Sequence, residues 1–333
     1  MMPDERCGGR RPHLAGRKAA SERTMDFKSR LLNPSQPAIF FELAPPAEGK
    51  PEAQESAVAE VQRIKPLVHA INLPEIRDES RGAERSFKFI QRVSPSIFGH
   101  RLQAEAGVEV VINRGVVYQA DSAGWFREIY QGFGIRHVIL VGGESSKICY
   151  PGPNVVEAAH EILATGLPAV LGGIALPGRA REVERIRRKA GAGICFFTTQ
   201  VLFDSNDIVW LIQRLNGLQA RIFMSFAPVT TRRDLEFLRW LGADVPADLD
   251  RYLTSGDSPE SGTDGERLFE PSLKLAQTIL MDVFDNLPPD PPPLGLNIEH
   301  INRRNFPGAV RMLERLGNLY SDLLVTRHPA SLA

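Results

Sequence analysis

Short apolar runs rich in Val, Ile and Phe recur along the chain, and each is close to continuous rather than alternating. They occupy residues 38–45 (AIFFELAP), 70–75 (AINLPE), 108–115 (VEVVINRG), 137–143 (HVILVGG), 169–176 (AVLGGIAL), 193–200 (GICFFTTQ), 221–228 (RIFMSFAP) and 295–302 (GLNIEHIN). Unbroken apolarity over so few residues suits strands covered on both faces, as in parallel sheets. Stretches with helical spacing of apolar positions separate them, at 52–65, 84–93, 122–132, 154–164, 179–190, 205–215 and 232–241. Eight strands alternating with helices predict a parallel sheet closed into a (β/α)8 TIM barrel, with a doubly wound open sheet as the structural alternative. Two insertions break the rhythm. Residues 253–266 are polar and Gly/Ser-rich and predict a loop; a helix is expected over 270–286, followed by an extended PPDPPP connector at 288–293.

Length fits this picture, because 333 residues suit one barrel domain. The barrel is expected over residues 25–325. Residues 1–24 carry Arg6, Arg10, Arg11, Arg17, Lys18 and Arg23 among Gly and Pro, without an apolar run, and predict a disordered basic arm. Lys+Arg and Asp+Glu both number 40, so a general nucleic-acid binder is not expected. No apolar stretch reaches membrane-spanning length. Cys7, Cys149 and Cys195 form no C-x-x-C pair, so neither a disulfide framework nor a zinc site is indicated and a cytoplasmic setting fits. No metal centre is expected, since no H-E-x-x-H occurs, and Rossmann, P-loop and nucleophile-elbow motifs are missing as well.

Barrel enzymes work at the C-terminal ends of their strands. Polar residues collect there: Glu42 on strand one; Asn72, Glu75 and Arg77 on two; Asn113 and Arg114 on three; Glu144 on four; Thr198, Thr199 and Gln200 on six; Glu299, His300, Asn302 and Arg303 on eight. Two carboxylates aimed at one cavity raise at least one proton affinity, which suits acid catalysis. The competing expectation is that these carboxylates pair with Arg77, Arg114 or Arg303 and only brace the barrel. On the helix after strand five, Glu182, Arg185 and Lys189 share one face at spacings i, i+3, i+7. Such a face grips a ribose and pyrophosphate, or is simply a solvated charged surface.

The strand-end motifs, in their order, resemble the methylenetetrahydrofolate reductase family over roughly residues 25–316. FFELAPP at 40–46 is similar to that family's first-strand FEFFPP, and GIRHVILVGGE at 134–144 to its GIRHxxxLRGD. GAGICFFTTQVLFD at 191–204 is similar to its AGAxxxxTQxxFD, and EHINR at 299–303 to its YTLNR. WLGADVP at 240–246 matches a late segment of that family. The resemblance implies hydride transfer from NAD(P)H through FAD to a methylene-tetrahydrofolate-type carrier. It implies catalytic roles for Glu42 and Glu144, and substrate binding by Gln200 and Arg303. It implies FAD binding by Glu182, Arg185, Lys189 and Asn113. Departures are plain. Glu144 stands where the family has aspartate and Glu299 where it has tyrosine; strands two and three lack its T-Y-G and H-L-T. A non-catalytic or flavin-free pterin-binding barrel, or a partner subunit, is the alternative, and a homo-oligomer is compatible with either.

Overall fold

A strand whose two faces both meet apolar atoms needs cover on each, and closure of the sheet supplies one cover from within. The computed structural model describes residues 27–78, 88–143, 148–254 and 264–327. Its strands are β1 (Ile39–Leu43), β2 (Ala70–Leu73), β3 (Val110–Gly115), β4 (His137–Val141), β5 (Val170–Ala175), β6 (Ile194–Val201), β7 (Arg221–Phe226) and β8 (Leu294–His300). Neighbours pair in parallel in sequence order, and β8 returns to pair with β1. The predicted (β/α)8 barrel is therefore the fold, and the open sheet is not.

Helices pack outside it: α1 (Phe27–Leu32), α2 (Pro51–Ile64), α3 (Pro95–Glu105), α4 (Ser122–Phe133), α5 (Val155–Leu163), α6 (Glu182–Gly191), α7 (Asn206–Arg214), α8 (Arg232–Trp240), α9 (Leu249–Thr254), α10 (Asp264–Asp285) and α11 (Phe306–Arg327). The expected helix over 84–93 is corrected. Residues 79–87 lie outside the described residues, while Arg92 forms a bridge with Ala47, and the helix starts at Pro95. Ser94-Pro95 is the start signal, since proline at the first helical position loses no intrahelical hydrogen bond. The helix expected from 270 begins earlier, at Asp264, and runs through Pro271. The basic arm at 1–24 and the middle of the 253–266 loop lie outside the described residues.

Side chains alternate between two cores. Ile39, Phe41 and Leu43 of β1, with their counterparts on other strands, face the helices. Ala38, Phe40, Ala70, Val111, Ile139, Val170, Phe196 and Phe223 fill the lumen. Phe40 and Phe223 stack at 3.8 Å, and Phe196 meets both edge-on at 5.8 and 5.9 Å. Gly172 makes this possible, because a side chain there would collide with the Phe196 ring. At the N-terminal end of the barrel, Phe27 and Leu31 of α1 join the lumen cluster. The fully buried Arg221 ties that helix down by donating to the carbonyls of Arg30 (3.0 Å), Leu31 (2.8 Å), Gln36 (3.1 Å), Asn33 and Leu294. The barrel is thus dry and closed below, which leaves the opposite end for chemistry.

Candidate active site

One step above the phenylalanine layer the lumen changes character. By the two-residue period, Glu42 shares the face of Phe40, Asn72 that of Ala70, Asn113 that of Val111, Thr198 that of Phe196 and Ser225 that of Phe223. On β8, Leu296 and Ile298 face the helices, so Asn297 and Glu299 face inward. The upper lumen is therefore a polar cup ringed by strand ends.

Glu42 sits in it, and its hydrogen-bond partners among the described residues are neutral. Asn72 Nδ2 donates to its Oε2 at 2.8 Å, and Asn297 Nδ2 approaches the same oxygen at 3.3 Å. Burial raises its proton affinity from the ordinary carboxylate value to about 7, against the opposing effect of the Asn297 hydrogen bond. Glu299 is the register partner of Glu42 across the β1–β8 seam. Burial, and then the charge of Glu42, push it well above the usual carboxylate range, while a hydrogen bond with Ser225 acts in the opposite direction. Asn297 Nδ2 also reaches Ser225 Oγ at 3.0 Å and Glu299 Oε1 at 3.4 Å. Both amide nitrogens face carboxyl oxygens, which fixes the orientation of the amides. The carbonyl oxygens Asn72 Oδ1 and Asn297 Oδ1 are then buried without a donor, as is Asn113 Oδ1.

The bracing role expected for strand-end carboxylates belongs to Glu75 instead. Its Oε1 pairs with Arg77 (3.2 Å) and Arg114 (3.1 Å), and its Oε2 accepts from Gly115 N at 2.9 Å. Arg77 lies over Tyr118 and Arg114 over Trp125. A cleft of about 560 Å³ opens beside this cluster, above the ends of β1 and β2, with Glu48, Glu75, Arg77, Phe89 and Arg92 in its wall.

The remaining predicted residues divide. Gln200 stands at the end of β6, where the register with β7 shifts, and its Nε2 donates to Leu241 O at 2.8 Å. Arg303 is exposed and reaches Ser56 on α2 at 3.4 Å, so it does not join the cup. Glu144 lies outside the described residues. Glu182, Arg185 and Lys189 form no solvated surface. Glu182 is only 1% exposed and its Oε1 accepts from Leu176 N at 3.2 Å. Lys189 Nζ donates to Ile174 O at 2.7 Å, and burial lowers its proton affinity. Glu182 Oε2 and Arg185 Nε are buried without a hydrogen-bond partner.

Sequence reasoning missed Asn297 and Ser225 as members of the cup, and named Glu299 as a strand-end polar residue and a departure from tyrosine without pairing it with Glu42. The signal was present in GLNIEH, where polar residues at 297 and 299 alternate with Leu296 and Ile298. Among the described residues no three His, Cys, Asp or Glu side chains come together as a metal site, and no helix is long and apolar enough to cross a membrane.

No protein-family model matches the chain, and no curated protein matches it. Among solved structures it is similar to orotidine 5'-phosphate decarboxylase from Pyrococcus horikoshii OT3, at 12% identity and TM-score 0.42, over 84% of this chain and 98% of that one. It is also similar to dihydropteroate synthase from Xanthomonas albilineans in complex with 7,8-dihydropteroate, at 14% identity and TM-score 0.44, over 88% and 96% of the respective chains. Both are similarities of fold.

Proposed function

We propose that the chain is a flavin-dependent reductase that passes a hydride from NAD(P)H, by way of FAD, to a methylene-tetrahydrofolate-type one-carbon carrier. The observation that carries the reading is Glu42, an inward-facing carboxyl at the top of the barrel, held by the neutral amides of Asn72 and Asn297, with its proton affinity raised by burial to about 7. Opening the ring of such a carrier requires a proton on a weakly basic nitrogen, and an acid poised near neutrality is suited to deliver it. The ordered motifs around Glu42 and Gln200 add the direction of the chemistry.

The α6 face fits the cofactor in two of its three residues. Glu182 Oε2 is a buried acceptor with no hydrogen bond and only a 3.9 Å ion pair with Arg179 Nε, which leaves it open to a ribose hydroxyl, and Arg185 Nε is a buried donor without an acceptor, as a phosphate would require. When bound, FAD supplies the two-electron relay between nicotinamide and substrate. The chain's own work is to keep Glu42 protonated, to exclude water from the lumen below it, and to offer the Asn72, Asn113 and Asn297 carbonyls to N–H groups of the carrier. One observation favours the flavin-free binding barrel: the Lys189 amine is already engaged by Ile174 O.

Flavin retention separates the two. Purified full-length protein supplied with FAD is expected to keep the yellow colour through gel filtration, and the double substitution Arg185→Ala, Lys189→Ala is expected to weaken retention about tenfold or more. Failure of the unsubstituted protein to retain FAD overturns the reductase reading in favour of the flavin-free one.

A further inference from the structure

We propose that Glu42 and Glu299 work as one unit, a carboxyl–carboxylate pair that holds a single proton between two strands, with Asn297 as the clamp that positions both. The inference rests on the reading of Glu42 as the acid, and it gives Glu299 a role where the resembling family has a tyrosine.

The geometry comes from barrel closure. Glu42 and Glu299 are register partners on β1 and β8 and share the lumen face. One nitrogen, Asn297 Nδ2, lies 3.3 Å from Glu42 Oε2, 3.4 Å from Glu299 Oε1 and 3.0 Å from Ser225 Oγ. An amide carries two hydrogens, so it cannot serve three acceptors fully. Among the described residues, those on the strands facing the pair are neutral: Asn72 from β2, Asn113 from β3, Thr198 from β6, Ser225 from β7 and Asn297 from β8. Among the described charged groups, Arg92 lies by the loop after β1, where one guanidinium nitrogen donates to Pro45 O at 3.4 Å and its Nε is buried without a hydrogen-bond partner. Glu75 is spent on Arg77 and Arg114, Arg221 lies at the other end of the barrel, and the His300 ring packs outward on Phe41 and Phe306. Two ionised carboxylates on adjacent strand positions, with no cation paired to them among the described residues, are strongly disfavoured. One proton removes the repulsion and supplies the missing donor. Both groups are pushed upward, by burial and, for Glu299, by the charge of Glu42.

Donation then has a defined balance. A carboxyl O–H bond breaks, an N–H bond forms on the carrier, and two carboxylates are left facing the cation that forms there. Water returns the proton after the product leaves.

The test uses ligand-free, full-length protein labelled with carbon-13 at the glutamate side-chain carboxyls, so it stands whether or not the reductase reading holds. The resonances lost in Glu42→Gln and in Glu299→Gln assign the pair. In the unsubstituted protein both resonances are expected to move together in two separated steps, the upper one near neutrality or above. In each single variant the surviving carboxyl is expected to titrate in one step, well below that upper step, because the like charge is gone. Independent single titrations in the unsubstituted protein would overturn the proposal, as would a Glu42 transition unmoved by Glu299→Gln.

Discussion

Glu42 and Glu75 are both carboxylates at the ends of neighbouring strands, and their surroundings assign them opposite tasks. Glu75 has two arginines and a backbone N–H, so it braces the loops after β2 and β3. Glu42 has only amides and the Glu299 carboxyl beside it, so burial decides and raises its proton affinity to about 7. Acid catalysis by Glu42 requires that proton. Steady-state methylene reduction is therefore expected to decline as pH rises through about 7. A rate that is flat across this range would remove Glu42 from the role. Glu42 was legible in the sequence because FFELAPP is a compact local motif. Asn297 was not, because an asparagine inside an apolar run reads as strand, and its partner is 255 residues away. Only closure of β8 on β1 brings them together.

At the scale of elements, the strands were legible and the short or irregular pieces were not. Burial on both faces writes an unmistakable signal into β1 and β7. The six residues of α1 write almost none; that helix is held by Arg221 and by Phe27 in the lumen rather than by its own propensity. The helix expected at 84–93 is not formed over the described residues 88–93; the helix starts at the Ser94-Pro95 signal instead. Strand β5 carries its own prediction. Gly172 leaves the space taken by the Phe196 ring, so Gly172→Ala forces that ring against Phe40 and Phe223. Overpacking of this kind is expected to cost about 1–3 kcal/mol in chemical unfolding. A neutral substitution would mean that the aromatic layer has room to repack.

For the whole molecule, the buried groups set two opposed pH limbs. Glu42 binds its proton more tightly when folded, so the stability it adds is complete below 4.5 and is lost as pH rises towards 7. His69 and His300 behave in reverse. Burial lowers each from 6.5 to about 4, so their contribution is complete above 6.5 and is lost as pH falls towards 4. The two windows overlap and oppose each other, so thermal unfolding followed from about pH 4 to about pH 9 is expected to show a broad maximum in the weakly acidic range. The combined Glu42→Gln, Glu299→Gln variant is expected to flatten the alkaline limb and leave the acid limb in place; an unchanged alkaline limb would contradict the buried, uncompensated pair.

The central claim is that the polar cup above the phenylalanine layer is a reducing site whose acid is Glu42. Its most direct test is the reoxidation of chemically reduced, FAD-loaded protein by methylenetetrahydrofolate, compared between the unsubstituted chain and Glu42→Gln. The account predicts reoxidation in the first and a rate lower by about 10²-fold or more in the second, with flavin content unchanged. Equal rates, or no reoxidation by the carrier in either protein, would contradict it.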